Sequence, residues 1–393
     1  MIYRLKRLNK RPGLVNPFLF LELHQTPDGL GKAFDSPIPV MVSALEVGRD
    51  PCHQMMKKPI VSAKRRDDMS KLVLSLAPLS ADIVKLLIQQ TPDVPDFDVI
   101  PGHEMSEKEV REAFSRADVV LGDYAFQQTI TADTVSAAQN LKLIQQPSVG
   151  YQHIDVGACT AKGIKVANTA GANTVSVAEH TIAWGLCLLK NMLYAHTSTK
   201  AGRWEQHGIR PAEMKGKVWG IVGLGRIGQA VAERLKPFQL SRVLYHDAYR
   251  PEPSVEQKLH VEYADMGTIL GQSDIISLHA PLTDATRNVI DENALNSMKQ
   301  GAYLINVARA ELVDEKALAE AIRKEKIGGA GIDVFSEEPV TMDNPLLGVE
   351  SERLIFSPHT AGVTSEAAGF IINMATANIA RVLKGEKPES LVN

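Results

Sequence analysis

Short apolar runs alternate with amphipathic stretches along the chain from Met69 onward. The runs are only four to six residues long and lie between polar turns, a length that favours buried strands over buried helices. Because helical patterns separate the runs, we expect the strands to lie parallel in a sheet with right-handed crossovers. The first five predicted strands are 71–76, 97–100, 117–122, 142–145 and 164–167.

A long apolar helix is predicted to follow these strands. Asn173 or Thr174 is expected to cap it, and apolar residues occupy nearly all of its sides from Val175 to Leu189. A helix that is apolar all round is normally buried. We therefore expect this helix to lie between domains or against another subunit.

A second strand–helix series runs from residue 217 to about residue 357. Its six predicted strands are 218–222, 243–246, 275–279, 303–306, 331–334 and 354–357. Six is the number of strands in a full dinucleotide-binding doubly wound sheet. The last helix, 365–383, has no strand after it, so we expect it to pack back on the first domain. The predicted fold class is α/β, with two doubly wound parallel-sheet domains.

The chain is predicted to divide into an extension and two domains. At 393 residues it is too long for one ordinary core. Residues 1–68 contain 12 Lys+Arg and 7 Asp+Glu, many prolines and no good signal peptide, so we expect a poorly ordered extension or a mis-assigned start before Met69. The first domain is predicted at 69–172, completed by 365–393, and the second at 173–364.

Composition argues against several classes of protein. The net charge of −3 and the pI near 6.4 give no electrostatic reason to expect a nucleic-acid or membrane partner. Cys52, Cys159 and Cys187 have no metal-ligand spacing, so no metal site and no structural disulfide are expected. No apolar run reaches the roughly 18 residues that span a bilayer. We expect a cytoplasmic protein.

A glycine fingerprint, Gly223-Leu224-Gly225-Arg226-Ile227-Gly228, stands between a predicted strand and a predicted helix. Gly223 permits the tight turn, Gly225 lets the backbone approach a pyrophosphate, and Gly228 lets helix and strand pack closely. The phosphates would lie at the helix N-terminus, beside Arg226 and Ile227, where free N–H groups favour an anion. The alternative is a tight turn that binds no ligand.

Asp247 stands 19 residues after Gly228, at the end of the second strand of this series. A carboxylate there accepts hydrogen bonds from the adenosine ribose and repels a 2′-phosphate, which favours NAD over NADP. Arg250 is close enough to leave that preference open. The alternative for Asp247 is a solvated loop residue.

Three residues that suit redox chemistry follow later strands. Arg309 could hold a carboxylate bidentately and polarise an adjacent carbonyl, although it could also be a surface Arg. His359 could take up and return a proton near neutral pH. A lone loop His is often unremarkable, but a carboxylate such as Glu338 bonded to it would stabilise its protonated form and fix its tautomer. Together the three residues predict proton-coupled hydride transfer.

Other polar segments are weaker candidates. Residues 148–155 follow a strand end and could offer backbone N–H groups to a carboxylate, or could form an ordinary turn. His153 and His180 are conceivable bases, but each lies next to predicted helix-packing residues.

At these residues the chain resembles the D-isomer-specific 2-hydroxyacid dehydrogenases. The resemblance covers residues 69 to 383, and its motifs are 148–155, 173–180, 223–228, 306–309 with Asp314, 333–339 and 358–359. It implies a flavodoxin-like substrate domain, a Rossmann NAD domain, a cleft between them that holds the active site, and a homodimer.

The resemblance also implies roles for single residues. Arg309 would bind the substrate, His359 would be the acid/base, and Glu338 would orient the imidazole of His359.

The substrate carboxylate would meet the backbone at Val149 and Gly150. The remaining cofactor contacts would be Thr174 at the pyrophosphate, Asp247 at the ribose, Asp333 at the nicotinamide carboxamide, and Ala308.

The resemblance ranks some branches of the family. Formate dehydrogenases carry Gln at the position of Glu338, so Glu338 argues against formate. Oxidation of phosphite and a non-catalytic NAD(H)-sensing co-repressor stay open as alternatives. The substrate also stays open, because its pocket would be lined around residues 124–126, the loop after Pro78 and the region of Trp204.

Overall fold

The alternating apolar runs form two parallel sheets. The computed structural model describes residues 70–124 and 127–393, so the predicted extension at 1–68 lies outside the described residues. Both sheets lie within residues 71–393.

The first sheet contains five strands in the order β2-β1-β3-β4-β5. The strands are β1 (Lys71–Ser75), β2 (Phe97–Pro101), β3 (Val119–Leu121), β4 (Leu143–Gln145) and β5 (Lys165–Ala167). The helices between them are α1 (Ala81–Gln89), α2 (Glu107–Phe114), α3 (Ala132–Ala137) and α4 (Val156–Ala161). Val73 on β1 pairs in parallel with Val119 on β3. All five predicted strands are present, and their order is the flavodoxin-like one.

A helical hairpin leads from the first sheet to the second. It consists of α5 (Thr174–Lys190) and α6 (Met192–Lys200), separated by Asn191 in a left-handed conformation. α5 packs against the second sheet so closely that an ideal Cβ on Gly185 would lie 2.5 Å from Cη2 of Trp219. The helix buries one face instead of all sides, and Val175 is 55% exposed. Burial of the remaining sides against another subunit stays a prediction.

The second sheet contains seven strands in the order β12-β11-β10-β9-β6-β7-β8. The strands are β6 (Val218–Val222), β7 (Arg242–His246), β8 (Glu262–Tyr263), β9 (Ile275–Leu278), β10 (Tyr303–Asn306), β11 (Gly329–Ile332) and β12 (Leu354–Phe356). The helices are α7 (Arg226–Leu235), α8 (Pro253–Leu259), α9 (Met266–Gln272), α10 (Glu292–Ser297) and α11 (Glu315–Arg323). β8 was not predicted because both of its residues are exposed, so no apolar run marks it.

The last helix, α12 (Ser365–Leu383), returns to the first sheet as predicted and packs against α1, β3 and β4. The C-terminal tail follows it there. The N–H of Val392 donates to the carbonyl of Val166 at 2.9 Å, and Leu391 forms an antiparallel bridge with Ala167. The tail thus covers the edge of β5, where unpaired backbone groups would otherwise face solvent.

No helix among the described residues is long and apolar enough to cross a membrane. In the same part of the chain, no cluster of three or more His, Cys, Asp or Glu residues could hold a metal ion.

Candidate active site

The glycine loop joins β6 to α7, and its three glycines meet different surroundings. Gly223 has a φ of +95°, and an ideal Cβ there would lie 2.5 Å from the N atom of Ala280. A Cβ on Gly228 would lie 2.1 Å from the carbonyl oxygen of Gly223, whereas a Cβ on Gly225 would meet nothing within 4 Å. Packing therefore requires glycine at positions 223 and 228, and open space lies in front of Gly225.

The open space lies at the N-terminus of α7. Gly225 is the N-cap residue, and no side chain caps the helix. The N–H groups of the first turn, which includes Arg226 and Ile227, therefore stay available to an anion. Thr174 lies close by, because an ideal Cβ on Gly171 would lie 3.5 Å from Cδ of Arg226 and 4.0 Å from Oγ1 of Thr174.

Asp247 follows β7 and is tied to the glycine loop. Its Oδ2 accepts a hydrogen bond from the N–H of Leu224 at 2.6 Å, and its Oδ1 accepts one from the N–H of Tyr249 at 2.9 Å. The carboxylate is thus held beside the phosphate-binding turn. An open backbone, an uncapped helix N-terminus and this carboxylate together fit a dinucleotide.

His359 and Glu338 form a hydrogen-bonded pair. Nδ1 of His359 lies 2.8 Å from Oε2 of Glu338, and Oε1 of Glu338 accepts a bond from the N–H of Phe335 at 3.0 Å. Desolvation raises the pKa of Glu338, but the two hydrogen bonds and the charges of His359 and Arg309 outweigh it, so the pKa lies below its ordinary value. The carboxylate is therefore ionised at neutral pH and accepts the Nδ1 proton.

Arg309 follows β10 and lies half-buried near this pair. Desolvation lowers the pKa of its guanidinium, and the charges of Glu311 and Glu338 act in the opposite direction. The Asn306 side chain organises the turn by donating to the carbonyl of Arg309 at 2.8 Å and accepting from the N–H of Ala308 at 3.1 Å. Arg309, Glu338 and His359, which are far apart in sequence, thus occupy one site.

The loop that carries His359 is arranged around Asp333, which is 1% exposed. Oδ1 of Asp333 accepts bonds from the hydroxyl of Ser357 at 2.5 Å and the N–H of Thr360 at 2.8 Å, and Oδ2 accepts from the N–H of Ala361 at 2.9 Å. Its carbonyl accepts from the N–H of His359 at 2.7 Å. These bonds hold His359 at a φ of +54°, a conformation that non-glycine residues seldom adopt.

His180 on α5 extends this network, although the sequence analysis discounted it as a packing residue. Its Nε2 lies 3.1 Å from Oγ of Ser357. Because the single hydroxyl proton of Ser357 goes to Asp333, His180 has to be the donor in this contact. Desolvation lowers the pKa of His180 against the opposing charge of Asp333. The sequence signals at this contact were the position of His180 at the end of the family-like motif 173–180 and the position of Ser357 directly before Pro358 and His359.

The turn at Val149 and Gly150 follows β4 of the first sheet. Asn168 donates to the carbonyl of Val149 at 2.9 Å, and Ser148 donates to the carbonyl of Gly150 at 2.8 Å. Within residues 70–124 and 127–393, neither of the two N–H groups has a hydrogen-bond acceptor. The turn therefore retains the two backbone donors that the resemblance to the family implies for a carboxylate.

The predicted lining of the substrate pocket is described only in part. Burial raises the pKa of Tyr124 to about 12, with a smaller contribution from the charge of Asp123, whereas Ala125 and Phe126 lie outside the described residues. Trp204 is 82% exposed.

Comparisons with known proteins identify the family to which the chain belongs. A family model for the NAD-binding domain of D-isomer-specific 2-hydroxyacid dehydrogenases matches residues 182–361. A glyoxylate reductase of Thermofilum pendens is 40% identical over 268 residues, which are 67% of this chain and 78% of that protein. A D-3-phosphoglycerate dehydrogenase of Methanocaldococcus jannaschii is 37% identical over 322 residues, 82% of this chain and 59% of that one.

A solved structure also has a fold similar to that of this chain. The crystal structure of D-lactate dehydrogenase from Aquifex aeolicus, complexed with NAD and lactic acid, has a TM-score of 0.70 and 28% sequence identity to this chain, and the match covers 80% of this chain and 96% of that one. The identity to the glyoxylate reductase and its coverage are high enough to assign the family. The chain therefore belongs to the NAD-dependent D-isomer-specific 2-hydroxyacid dehydrogenases.

Proposed function

We propose that this enzyme interconverts a 2-oxo acid and a D-2-hydroxy acid, with His359 as the acid/base. The contact between His359 and Glu338 is the observation that carries the proposal. Since Glu338 accepts the Nδ1 proton at 2.8 Å, Nε2 is the ring nitrogen left to exchange a proton with the substrate oxygen. Glu338 would orient the ring and stabilise the imidazolium.

Arg309 and the turn at Val149 and Gly150 would bind the substrate. The guanidinium would hold the substrate carboxylate and offset the negative charge that develops on the C2 oxygen. Its partial burial strengthens both interactions, because fewer water molecules compete for it. The two N–H groups without acceptors would share the carboxylate.

The glycine loop would bind NAD together with Asp247 and Thr174. Bound NADH supplies the hydride that reduces C2 of the 2-oxo acid. The first turn of α7 would hold the pyrophosphate, and Asp247 would accept bonds from the adenosine ribose. Ala308 and Asp333 would lie at the nicotinamide end, where Asp333 can accept a further hydrogen bond besides those it receives from the His359 loop.

A substrate panel tests the reaction. NADH absorbance is followed with a series of 2-oxo acids that includes glyoxylate and hydroxypyruvate, and we expect at least one to be reduced. NADH binding without turnover would indicate a sensor or co-repressor, and reduction of NAD by phosphite alone would indicate phosphite oxidation. Either result would contradict the proposed reaction.

The variant His359→Gln tests the acid/base assignment. We expect kcat to fall by about 10² to 10⁴, the usual range for general acid–base catalysis, while the Kd for NADH, measured by fluorescence, stays the same. His196→Gln, at an exposed position on α6, is the matched control and should keep full activity. An unchanged kcat in His359→Gln would remove His359 from the mechanism.

We also propose that the enzyme is a homodimer. Met192 and Leu193 at the start of α6 are 51% and 44% exposed, and exposed apolar side chains of this size are often covered in an oligomer. Sedimentation equilibrium of the wild type and of Leu193→Glu tests this proposal. A monomeric wild type would contradict it.

A further inference from the structure

Arg250 lies three residues after Asp247 and could determine which dinucleotide is bound. A free guanidinium next to the adenosine ribose would bind the extra 2′-phosphate of NADP. The preference for NAD therefore depends on what Arg250 contacts. The sequence does not answer that question.

In the structure Arg250 is paired with Glu256 on α8. Nε of Arg250 donates to Oε1 of Glu256 at 2.7 Å, and Nη2 donates to Oε2 at 3.0 Å. The guanidinium also lies over the ring of Tyr263, 5.2 Å from its centroid. Both oxygens of one carboxylate and an aromatic face thus engage the same cation.

Glu256 is well placed to hold Arg250. Its side chain is only 13% exposed, and it also accepts a hydrogen bond from the hydroxyl of Tyr245, whose residue is fully buried. The hydrogen bonds from Arg250 and then from Tyr245 lower the pKa of Glu256 to about 2. Glu256 therefore stays ionised and anchored under ordinary assay conditions.

We propose that Glu256 is a specificity-determining residue that favours NAD over NADP by holding Arg250 away from the 2′ position of the adenosine ribose. A 2′-phosphate would then meet the carboxylate of Asp247 while the guanidinium of Arg250 is held by Glu256. The proposal rests on the proposed function, since it places the ribose at Asp247. Two carboxylates would thus discriminate against NADP. Asp247 repels the 2′-phosphate, and Glu256 engages Arg250, the cation that could otherwise bind it.

A second Arg–Glu pair on the same sheet provides a matched control. Arg242 donates to Oε2 of Glu262 through Nε at 3.0 Å and through Nη2 at 2.7 Å. Arg242 lies at the amino end of β7, whereas Asp247 follows the carboxyl end. Neutralising Glu262 therefore changes the net charge by the same amount without freeing a cation near the ribose.

The experiment measures the Kd values for NADH and NADPH by fluorescence titration. The variants are Glu256→Gln, Glu262→Gln and the double variant Glu256→Gln/Arg250→Gln. We expect Glu256→Gln to bind NADPH about tenfold more tightly, as one new charge-assisted bond to phosphate would give, with little change for NADH. The double variant should lose this gain, and Glu262→Gln should bind both dinucleotides like the wild type.

Arg250→Gln in the wild-type background provides a second test that does not depend on Glu256→Gln folding. We expect an unchanged Kd for NADPH, because Arg250 is already occupied. Weaker NADPH binding in this variant would overturn the proposal, and so would an unchanged NADPH affinity in a folded Glu256→Gln or an equal gain in Glu262→Gln. If the wild type bound no NADH, the proposed function itself would fail. If the wild type bound NADH normally but Glu256→Gln gained no NADPH affinity, only the role of Glu256 would fail.

Discussion

Two loops at the carboxyl edge of the second sheet carry the proposed chemistry, and they are held in different ways. The glycine loop between β6 and α7 is shaped by backbone against backbone, and its side-chain support comes from Asp247 and from Gln229, which donates to the carbonyl of Leu224 at 3.0 Å. The His359 loop is shaped by one buried carboxylate, Asp333, and extended by His180, which is 177 residues from Ser357 in the chain. The glycine loop therefore depends on positions where any side chain would clash with the backbone. The His359 loop depends instead on the groups that donate hydrogen bonds to Asp333.

Gly228→Ala should have the largest effect, because it tests the backbone-built loop directly. Its Cβ would lie 2.1 Å from the carbonyl oxygen of Gly223, and neither backbone segment can move cheaply. We expect a loss of about 3 kcal/mol of unfolding free energy, measured by urea unfolding, and no detectable NADH binding.

Gly225→Ala is the control for that change, since its Cβ would meet nothing within 4 Å. We expect the unfolding free energy to change by less than about 1 kcal/mol. NADH should nevertheless bind at least about tenfold more weakly, because the methyl group would occupy the approach of the pyrophosphate. Unchanged NADH affinity would contradict the placement of the phosphates at this loop.

Glu338→Gln sharpens the comparison at the other loop. A neutral amide cannot stabilise the imidazolium, so we expect kcat for 2-oxo acid reduction to fall by about tenfold or more and the activity to shift to lower pH. The matched control is Glu337→Gln at the neighbouring exposed position. If kcat fell equally in Glu338→Gln and Glu337→Gln, Glu338 would have no specific role in catalysis.

The lowered pKa of Glu338 also predicts a pH dependence of stability. The carboxylate stabilises the folded protein at pH values above its ordinary value of 4.5, and this contribution disappears as the pH falls through the lowered value. The difference in Tm between the wild type and Glu338→Gln should therefore be constant at neutral pH and vanish in acid. A difference that grew on acidification would have the wrong sign.

Ser357→Ala should have the smallest effect, because Asp333 keeps its three backbone donors. The loss of its two hydrogen bonds, one to Asp333 and one from His180, should cost about 2 kcal/mol of unfolding free energy and lower kcat severalfold, with the Kd for NADH unchanged. Ser336→Ala removes a comparable bond, to Oε2 of Glu315 at 2.7 Å, on the surface. A kcat that falls equally in both variants would show that position 357 has no special role in holding the His359 loop.

Most strands and the glycine loop were predictable because their requirements are local. A buried strand needs a short apolar run, and the turn at Gly223 needs a residue that accepts a positive φ. β8 was missed because two exposed residues form it, and the apolar pattern of α5 does not show which of its sides meets Trp219. The resemblance to the family, and not spacing alone, assigned roles to Arg309, Glu338 and His359.

By itself, the sequence determined the fold class, the position of the dinucleotide loop and the identity of the candidate acid/base residues. The fold class and the loop follow from residue type and from neighbours within one strand–helix unit, whereas the acid/base candidates also needed the resemblance to the family. Only the tertiary structure decided that Glu338 contacts His359, that His180 reaches Ser357, and that Arg250 is held by Glu256. Each of these contacts joins side chains from different elements, and sequence spacing does not specify the distance between such elements.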